Sequence, residues 1–321
     1  MTISFSGSSG LTFPDNSNMT VANVNSRFAN DITISGGTTV FNTKLNRITF
    51  DGSKGISEGL GLTFANANSA LITVSNTQTY SSYGTYTLTI PSGVTSLTLT
   101  SSGAGGGSGG SDSAGANPGG SGGSGGKLTG SVSVSAGDVF TFYVGSGGGA
   151  GPSEAAGGNA AGGTNPLGYS GGQGGSPSLG SGTSGGGGGG GAATVIYKNG
   201  SIWAVAPGSG GGGGGNYGDN GGNAQTSYNN SGSTSGGAGA NDNNDGGGGG
   251  GGGSGYNGGL GGNAADDSSG VATGGFSGGF LVASGLTNSG YTGSAGGVCN
   301  GTSSNPGTAG SVTFSYTSSH Y

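Results

Sequence analysis

The sequence predicts an all-β protein in two parts: a short-strand, fibre-like N-terminal module over residues 1–76, and a small β-sandwich with bundled polyglycine-II helices over residues 77–321. Three observations lead to this prediction. Glycine supplies 89 of the 321 residues, charged residues are only 6%, and short apolar segments recur between the glycine runs. Because glycine costs roughly 0.5–1 kcal/mol per helical position relative to alanine, a helical fold is disfavoured.

Residues 1–76 are predicted to form the N-terminal module. Short segments rich in β-branched and aromatic residues follow one another here without long glycine runs, a pattern typical of short strands. We expect this module to serve attachment or oligomerisation, and a trimeric β-fibre is one form it could take. The segments are 32–35, 40–41, 47–50, 60–64 and 71–74.

The composition changes near residue 100. Ten of the 89 glycines lie in residues 1–100, and the other 79 lie in residues 101–321. Four basic and four acidic residues cancel in the first part, whereas two basic and eight acidic residues follow it, so the net charge of −6 belongs to the second part. An acidic surface repels phosphate, and we therefore expect no nucleic-acid partner.

Alternation of polar and apolar residues predicts strands in the glycine-rich domain. Residues 86–99 are predicted to form a hairpin around a Pro-Ser-Gly turn, and residues 127–144 a second hairpin. A third hairpin is predicted over 194–205, because its Asn199-Gly200 pair is the strongest short hairpin signal. Residues 311–316 supply a last strand, and further apolar β-type segments are 132–134, 193–197, 202–206 and 280–283.

The long glycine runs admit three interpretations. Collagen is excluded, because the runs at 185–191, 210–215 and 246–253 break the Gly-X-Y triplet and the chain has only eight prolines. Disorder is the ordinary interpretation of Gly/Ser-rich sequence and stays open as an alternative. The apolar segments between the runs, with the only tryptophan, Trp203, favour a fold with a thin core.

Bundled polyglycine-II helices are the third interpretation. An extended helix with three residues per turn makes no internal hydrogen bonds and points its backbone N–H and C=O groups outwards. Glycine helices can approach closely and bond laterally, which satisfies these groups. Ordering glycine costs much conformational entropy, so we expect the strands to clamp the bundle.

Several classes of protein are disfavoured by single observations. No apolar run approaches the length of a transmembrane helix, so no membrane insertion is expected. The single cysteine, Cys299, allows no intrachain disulfide and no cysteine-based metal site. The N-terminal residues lack a basic start and an apolar core, so we expect no signal peptide and maturation in a cytoplasm. No cofactor is expected.

The sequence matches some enzymatic motifs, but we attribute these matches to chance. The G-x-S-x-G pattern fits at 119–123 and 122–126, but no helix follows, and the only histidine is His320. Residues 241–246 resemble a calcium loop in their alternating oxygen ligands, yet the twelfth position is Gly252 where a bidentate glutamate is needed. A solvated turn is favoured there, and no metal site is expected. A glycan depolymerase using paired carboxylates stays a minor alternative.

Segments of different composition interrupt the glycine runs at residues 216–220, 225–230, 241–245, 254–257 and 263–269, and are predicted to be loops. Tyrosine, asparagine and serine dominate them, as they dominate antibody binding loops, where rigid Tyr gives contact area and Asn or Ser gives adaptable hydrogen bonds. Simple exposed turns would use the same polar residues, but they seldom need a tyrosine. The candidate receptor-binding residues are Asn216, Tyr217, Asp219, Tyr228, Asn229, Asn230, Asp242, Asp245 and Tyr256.

The order of three sequence blocks resembles the glycine-rich domains of bacteriophage tail-fibre and virion proteins. The blocks are residues 86–107, 130–148 and 185–212, and the resemblance covers about residues 80–321. The third block also resembles the glycine-rich segment of some animal receptor kinases. In the N-terminal module, residues 10–22 are similar to a short β-segment of tail-fibre proteins. For phage tail-tip adhesins, the resemblance implies packed polyglycine helices and variable loops that contact the host receptor.

These observations lead to one functional hypothesis and one alternative. The hypothesis is a non-enzymatic virion protein on the particle exterior, a tail-fibre or tail-tip adhesin that binds a host surface glycan or outer-membrane protein through its glycine-domain loops. Other virion proteins would bind residues 1–76, and a homo-oligomer, with a trimer as one form, is expected. The alternative is a purely structural fibre or capsid-decoration protein that recognises no receptor.

Overall fold

A computed structural model describes residues 4–6, 10–12, 18–19, 72–112, 117–153, 159–177, 184–216, 220–242, 246–265, 270–299 and 304–320. Every regular element in these residues is a β-strand, which confirms the predicted all-β class. No helix of the described part is long and apolar enough to cross a membrane.

The chain divides into two compact units, Met1–Ala70 with Tyr321, and Leu71–His320. In the first unit, strands β1 (Ser4–Ser6), β2 (Gly10–Thr12) and β3 (Asn18–Met19) form one antiparallel sheet. The strands predicted between residues 32 and 64 lie outside the described residues.

The second unit begins with β4 (Ile72–Tyr80), so the predicted boundary between residues 76 and 77 falls inside this strand. The strands that follow are β5 (Gly84–Thr89), β6 (Ser96–Ser102), β7 (Lys127–Ser133), β8 (Val139–Val144), β9 (Thr194–Lys198), β10 (Ser201–Ala206), β11 (Gln225–Tyr228), β12 (Phe276–Ser277), β13 (Leu286–Asn288) and β14 (Ser311–His320).

Two antiparallel sheets share one apolar core. Their strand orders are β13-β7-β6-β14-β4 and β10-β9-β8-β5. Strand β8 illustrates how a strand contributes to this core. Its Phe140, Phe142 and Val144 side chains are fully buried, while the residues between them are half-buried. The Phe142 ring from one sheet stacks on the Phe314 ring from the other, with centroids 5.8 Å apart. The predicted core-forming alternation is confirmed here.

The connections differ from two of the three predicted hairpins. Strand β5 pairs with β8, and β6 pairs with β7, so the chain crosses from one sheet to the other within both 86–99 and 127–144. Alternation identifies the buried face of a strand but not its neighbour, and both strands bury that face in the same core from opposite sides. These two hairpin predictions were wrong. Residues 280–283 form a single bridge, Val205 to Leu281, and no strand.

The third predicted hairpin is confirmed. Strands β9 and β10 pair directly, and their turn places Asn199 at φ 51° and Gly200 at φ 79°. Two successive left-handed residues define the turn that matches the strand twist. A register shift between Ile202 and Ala204 follows, and the extra residue, Trp203, packs its ring edge-on to Phe140 at 5.5 Å.

The glycine segments bond laterally with a period of three residues. Gly185, Gly188 and Gly191 donate from their backbone N–H groups to carbonyls of residues 215, 212 and 209. Gly186 and Gly189 donate to residues 152 and 149, and Gly187 and Gly190 to residues 175 and 172. The N–H groups of segment 184–192 thus donate to three different neighbouring segments in turn. Its carbonyls accept hydrogen bonds from the N–H groups of residues 104, 107 and 110 and of residues 248, 251 and 254.

Close approach requires glycine at the centre of this arrangement. A Cβ atom at Gly188 would lie 2.2 Å from the carbonyl oxygen of Gly107, and one at Gly211 would lie 2.1 Å from that of Gly188. Real Cβ atoms do not reach such distances, so backbone hydrogen bonding takes the place that side-chain packing has in an ordinary core.

Candidate functional site

The glycine segments have two distinct ends. At the sheet end, Gly103 donates to the Gly126 carbonyl at 2.9 Å, beside strands β6 and β7, and Gly208 donates to the Ser254 carbonyl at 2.8 Å. At the other end, which we call the loop end, Gly215 donates to Gly110 at 2.9 Å and Gly185 donates to Gly215 at 2.7 Å. Gly110 lies seven positions after Gly103 on the same segment, so the two ends are seven residue steps apart along the chain.

The described residues that border three of the predicted loops lie at the loop end. Gly221 donates to the Pro118 carbonyl at 2.9 Å, Gly248 donates to Gly185 at 3.0 Å, and Ala265 donates to Gly247 at 3.0 Å. Segments 217–219, 243–245 and 266–269 connect these borders and lie outside the described residues. Three candidate residues belong to them, Tyr217, Asp219 and Asp245, and receptor contact by these residues stays a prediction.

Two other candidates at the loop end are buried. Asn216 is 1% exposed and donates from Nδ2 to the Gly270 carbonyl. Asp242 is 8% exposed, and its Oδ2 accepts the backbone N–H of Gly246 at 2.5 Å. Asp242 therefore bonds the border of its own loop, whereas Asn216 bonds the residue that borders segment 266–269, and receptor contact by either side chain stays a prediction.

Asp112 and Asn117 form a similar clasp that sequence reasoning missed. Asp112 is 3% exposed and accepts from Asn117 twice, from the backbone N–H at 3.2 Å and from Nδ2 at 3.0 Å. The two residues flank a gap of four positions in the described residues. Asp and Asn on either side of a short loop were the available signal, since both readily bond to nearby backbone groups.

The remaining candidates lie away from the loop end. Asn229 accepts the Leu260 N–H at its carbonyl (2.9 Å), Asn230 forms a bridge with Gly259, and both side chains are exposed. Tyr228 ends strand β11, and its side chain is not among those described. Tyr256 is 45% exposed and its N–H donates to the Gly279 carbonyl at 2.9 Å.

Tyr256 follows Ser254, whose hydroxyl donates to the Tyr169 carbonyl, and it therefore lies near a group of tyrosines beside the four-stranded sheet. We call Tyr143, Tyr169, Tyr197 and Tyr256 the tyrosine cluster. The Tyr143 and Tyr197 rings meet edge to face with centroids 5.5 Å apart. Burial raises the pKa of the Tyr169 phenol, and the neighbouring phenols of Tyr197 and Tyr256 raise it further, so Tyr169 stays a neutral hydroxyl donor at physiological pH.

No group of three or more metal-ligating side chains occurs in the part of the chain that the structure describes. Asp245 of the possible calcium loop lies outside that part, so a metal at residues 241–246 is not tested by these residues.

Comparison with known proteins gives no family to this chain: no family model matches it, and no curated protein matches it in sequence.

Proposed function

We propose that the chain is a bacteriophage virion protein, a tail-fibre or tail-tip adhesin that binds a host surface receptor through the segments joined at the loop end. The observation that supports this most is the common location of the loop borders. Residues that flank segments 217–219, 243–245 and 266–269 lie together, about 20 Å from the strands at the rise of an extended helix. Binding residues are characteristically carried on loops that a rigid scaffold positions.

Polyglycine-II helices are the scaffold in this proposal. The period-three change of hydrogen-bond partner along 185–191 is what a helix with three residues per turn requires. Backbone bonds in several directions give each segment a fixed place without side chains. Such a scaffold reduces the entropy that loop residues lose on binding, which favours affinity.

Attachment to the particle and association between copies of the chain complete this proposal. Other virion proteins bind residues 1–76, and copies of the chain associate as a homo-oligomer. Strand β4 supports the second point: within the described residues it pairs only with β14, and its nine residues contain neither proline nor charge. An uncharged free edge of that length is a template for pairing with another chain.

The test is the replacement of loop residues on the intact particle. Tyr217-Gly218-Asp219 is changed to Ser-Gly-Ser, with Asn216 retained because its side chain binds the loop border. We expect host adsorption to fall at least tenfold while particle yield is unchanged. The control is Tyr83→Ser, which removes an exposed tyrosine (51%) from the turn between β4 and β5.

Normal adsorption by this variant and by matching replacements of 243–245 and 266–269 would contradict the adhesin function. A purely structural fibre or decoration protein is then the better account. Shortened host polysaccharide after incubation with the wild-type protein would instead indicate a depolymerase.

A further inference from the structure

The outer face of the four-stranded sheet carries hydroxyl-bearing side chains in register. Thr87 lies opposite Thr141, Thr141 opposite Tyr197, and Tyr197 opposite Ile202. In the next row with this orientation, Thr85 lies opposite Tyr143. The buried phenylalanines of β8 alternate with these residues, so this row faces away from the core.

Tyr169 is held against the same face by buried polar anchors. It packs with Tyr143, Tyr197 and Leu281 on a small cluster that includes Val195. The Ser254 hydroxyl is fully buried and donates to the Tyr169 carbonyl at 2.6 Å, while it accepts the Ala193 N–H at 2.8 Å.

Asn165 is the second anchor and is 5% exposed. Its Nδ2 donates to the carbonyls of Tyr143 and Ala193 at 3.0 and 2.8 Å, and its Oδ1 accepts the Leu167 N–H at 2.8 Å. The tyrosine cluster is therefore attached to β8 and β9 through fully used polar groups, which fixes the backbone of the segment that carries Tyr169.

The phenol hydroxyls of the cluster are available to a ligand. Among the described residues, none of the four hydroxyl groups has a hydrogen-bond partner, although the rings of Tyr143, Tyr169 and Tyr197 are partly buried. A ring that packs on one side and a hydroxyl left unbonded is the amphipathic arrangement that tyrosine offers in binding sites.

The strands that form this face, all of them within the described residues, carry almost no charge. Lys198 is the only charged residue in strands β5, β8, β9 and β10, and its Nζ contacts Asp138 at 2.9 Å. A site without a cation has no charged partner for phosphate or carboxylate groups, whereas hydroxyl donors and acceptors suit a neutral, polyhydroxylated ligand.

We propose that the tyrosine cluster, with the threonine row beside it, binds a neutral polysaccharide. The apolar faces of sugar rings pack on the exposed parts of the Tyr197 and Tyr143 rings. Sugar hydroxyls bond to the phenols of Tyr169 and Tyr256. Thr87 and Thr141 extend the contact across the sheet.

This site is separate from the loop end and goes beyond the proposed adhesin function. The cluster belongs to the four-stranded sheet and the sheet end of the glycine segments, whereas Tyr217 and its neighbours belong to the loop end. Either site can therefore fail its test without the other.

The experiment is affinity electrophoresis of the full chain in gels that contain dextran, a soluble β-glucan or a galactomannan, with polygalacturonate as the acidic control. We expect at least one neutral polymer to retard the wild-type protein, and polygalacturonate to leave it unretarded. Tyr197→Ala and Tyr169→Ala should weaken retardation at least tenfold, and Tyr256→Phe several-fold. Tyr83→Ala, an exposed tyrosine outside the cluster, should behave as the wild type.

Tyr169→Phe and Tyr197→Phe distinguish a binding defect from a folding defect, since they keep the rings and remove only the hydroxyls. They should weaken binding while the melting temperature stays within a few degrees. No retardation by any neutral polymer, or equal retardation of Tyr197→Ala and the wild type, would overturn the proposal. Protection of these tyrosines from nitration by tetranitromethane would also overturn it, because the face would then be covered by the chain itself.

The loop variant with Ser-Gly-Ser at 217–219 separates the two functions. This variant should lose host adsorption and keep its retardation by the polysaccharide. Tyr197→Ala should lose the retardation and keep host adsorption. Retardation lost only in the loop variant would place polysaccharide binding at the loop end and overturn this inference.

Discussion

Asn199 Nδ2 donates a 2.8 Å hydrogen bond to Asp138 Oδ1, and this bond joins the turn of the β9–β10 hairpin to the residue before β8. Asp138 Oδ2 accepts the Ser135 N–H at 3.0 Å and contacts Lys198 Nζ at 2.9 Å. These partners, with Asn199 first, lower the pKa of Asp138 from 3.8 to about 2.

Acid should remove the stability that Asp138 supplies. Because the folded pKa lies below the unfolded value, the contribution is complete above about pH 4 and is lost as pH falls towards 2. Asp138→Asn should lower stability at pH 7 by about 1 kcal/mol and flatten the pH dependence between 4 and 2. Thermal melting followed by circular dichroism across that range tests this. Parallel curves for the variant and the wild type would contradict it.

Asn199 should stabilise the folded protein in two separable ways, through its backbone conformation and through its side-chain hydrogen bonds. Its φ is 51°, and its Oδ1 accepts the Val139 N–H at 2.8 Å. Asn199→Gly keeps the left-handed conformation and loses the side-chain bonds, so we expect a loss of about 1 kcal/mol. Asn199→Ala loses both, with a further cost of about 1 kcal/mol. The order wild type, Gly, Ala in urea unfolding is the expected result, and Ala equal to Gly would contradict the turn argument.

Adding one methyl group inside the glycine segments should unfold them. The Cβ of Gly188→Ala would lie 2.2 Å from the Gly107 carbonyl oxygen, and its nearest atoms all belong to the backbone of Gly107 and Ser108, which cannot rotate away as a side chain can. We expect a loss of about 3 kcal/mol or more, by analogy with severe overpacking. Gly222→Ala is the matched control, since its nearest atom, the Ala272 carbonyl oxygen, is 3.0 Å away. Similar melting temperatures for both variants would show that the segments are loosely packed.

The wild-type protein tests the disorder alternative. A chain whose glycine segments bond laterally should melt cooperatively, because each segment depends on its neighbours. We expect one steep transition by differential scanning calorimetry. A random-coil dichroism spectrum without a transition would return the 89 glycines to the flexible-linker interpretation.

Asn165 should affect stability through its buried amide. Asn165→Ala leaves the carbonyls of Tyr143 and Ala193 without this donor, and we expect a loss of about 1–3 kcal/mol. Asn159→Ala removes a mainly exposed amide contact, 3.3 Å from Asn241 Oδ1, and should cost less than about 0.5 kcal/mol. Equal melting temperatures for the two variants would contradict the anchoring role of Asn165.

Local chemistry explains which elements could be predicted from the sequence. Asn199-Gly200 forms a hairpin because both residues tolerate positive φ, and β8 alternates because each second residue faces the core. The connection through residues 90–95 could not be predicted in this way. Ile90 and Val94 are buried between the sheets, and nothing in their order along the chain shows that β5 and β6 belong to opposite sides.

The candidate site likewise contains residues that could be predicted from the sequence and residues that could not. Tyr256 and the loops were found from composition, but Tyr143, Tyr169 and Tyr197 were missed because each lies in a different sequence context. Pairing of β8 with β9 brings Tyr143 and Tyr197 together, and tertiary packing adds Tyr169. Burial of Asn216 and Asp242 was also invisible in the sequence, since an asparagine in an exposed turn and one that bonds a loop border look identical.

By itself, the sequence determined that this chain is all-β, that 79 of the 89 glycines lie after residue 100, and that one turn lies at Asn199-Gly200. These properties follow from local conformational preference. Only the tertiary structure decided which strands share a sheet, which glycine donates to which carbonyl, and which tyrosines meet. Glycine runs are chemically identical along their length, so their partners are set by the three-dimensional positions of the strands between them.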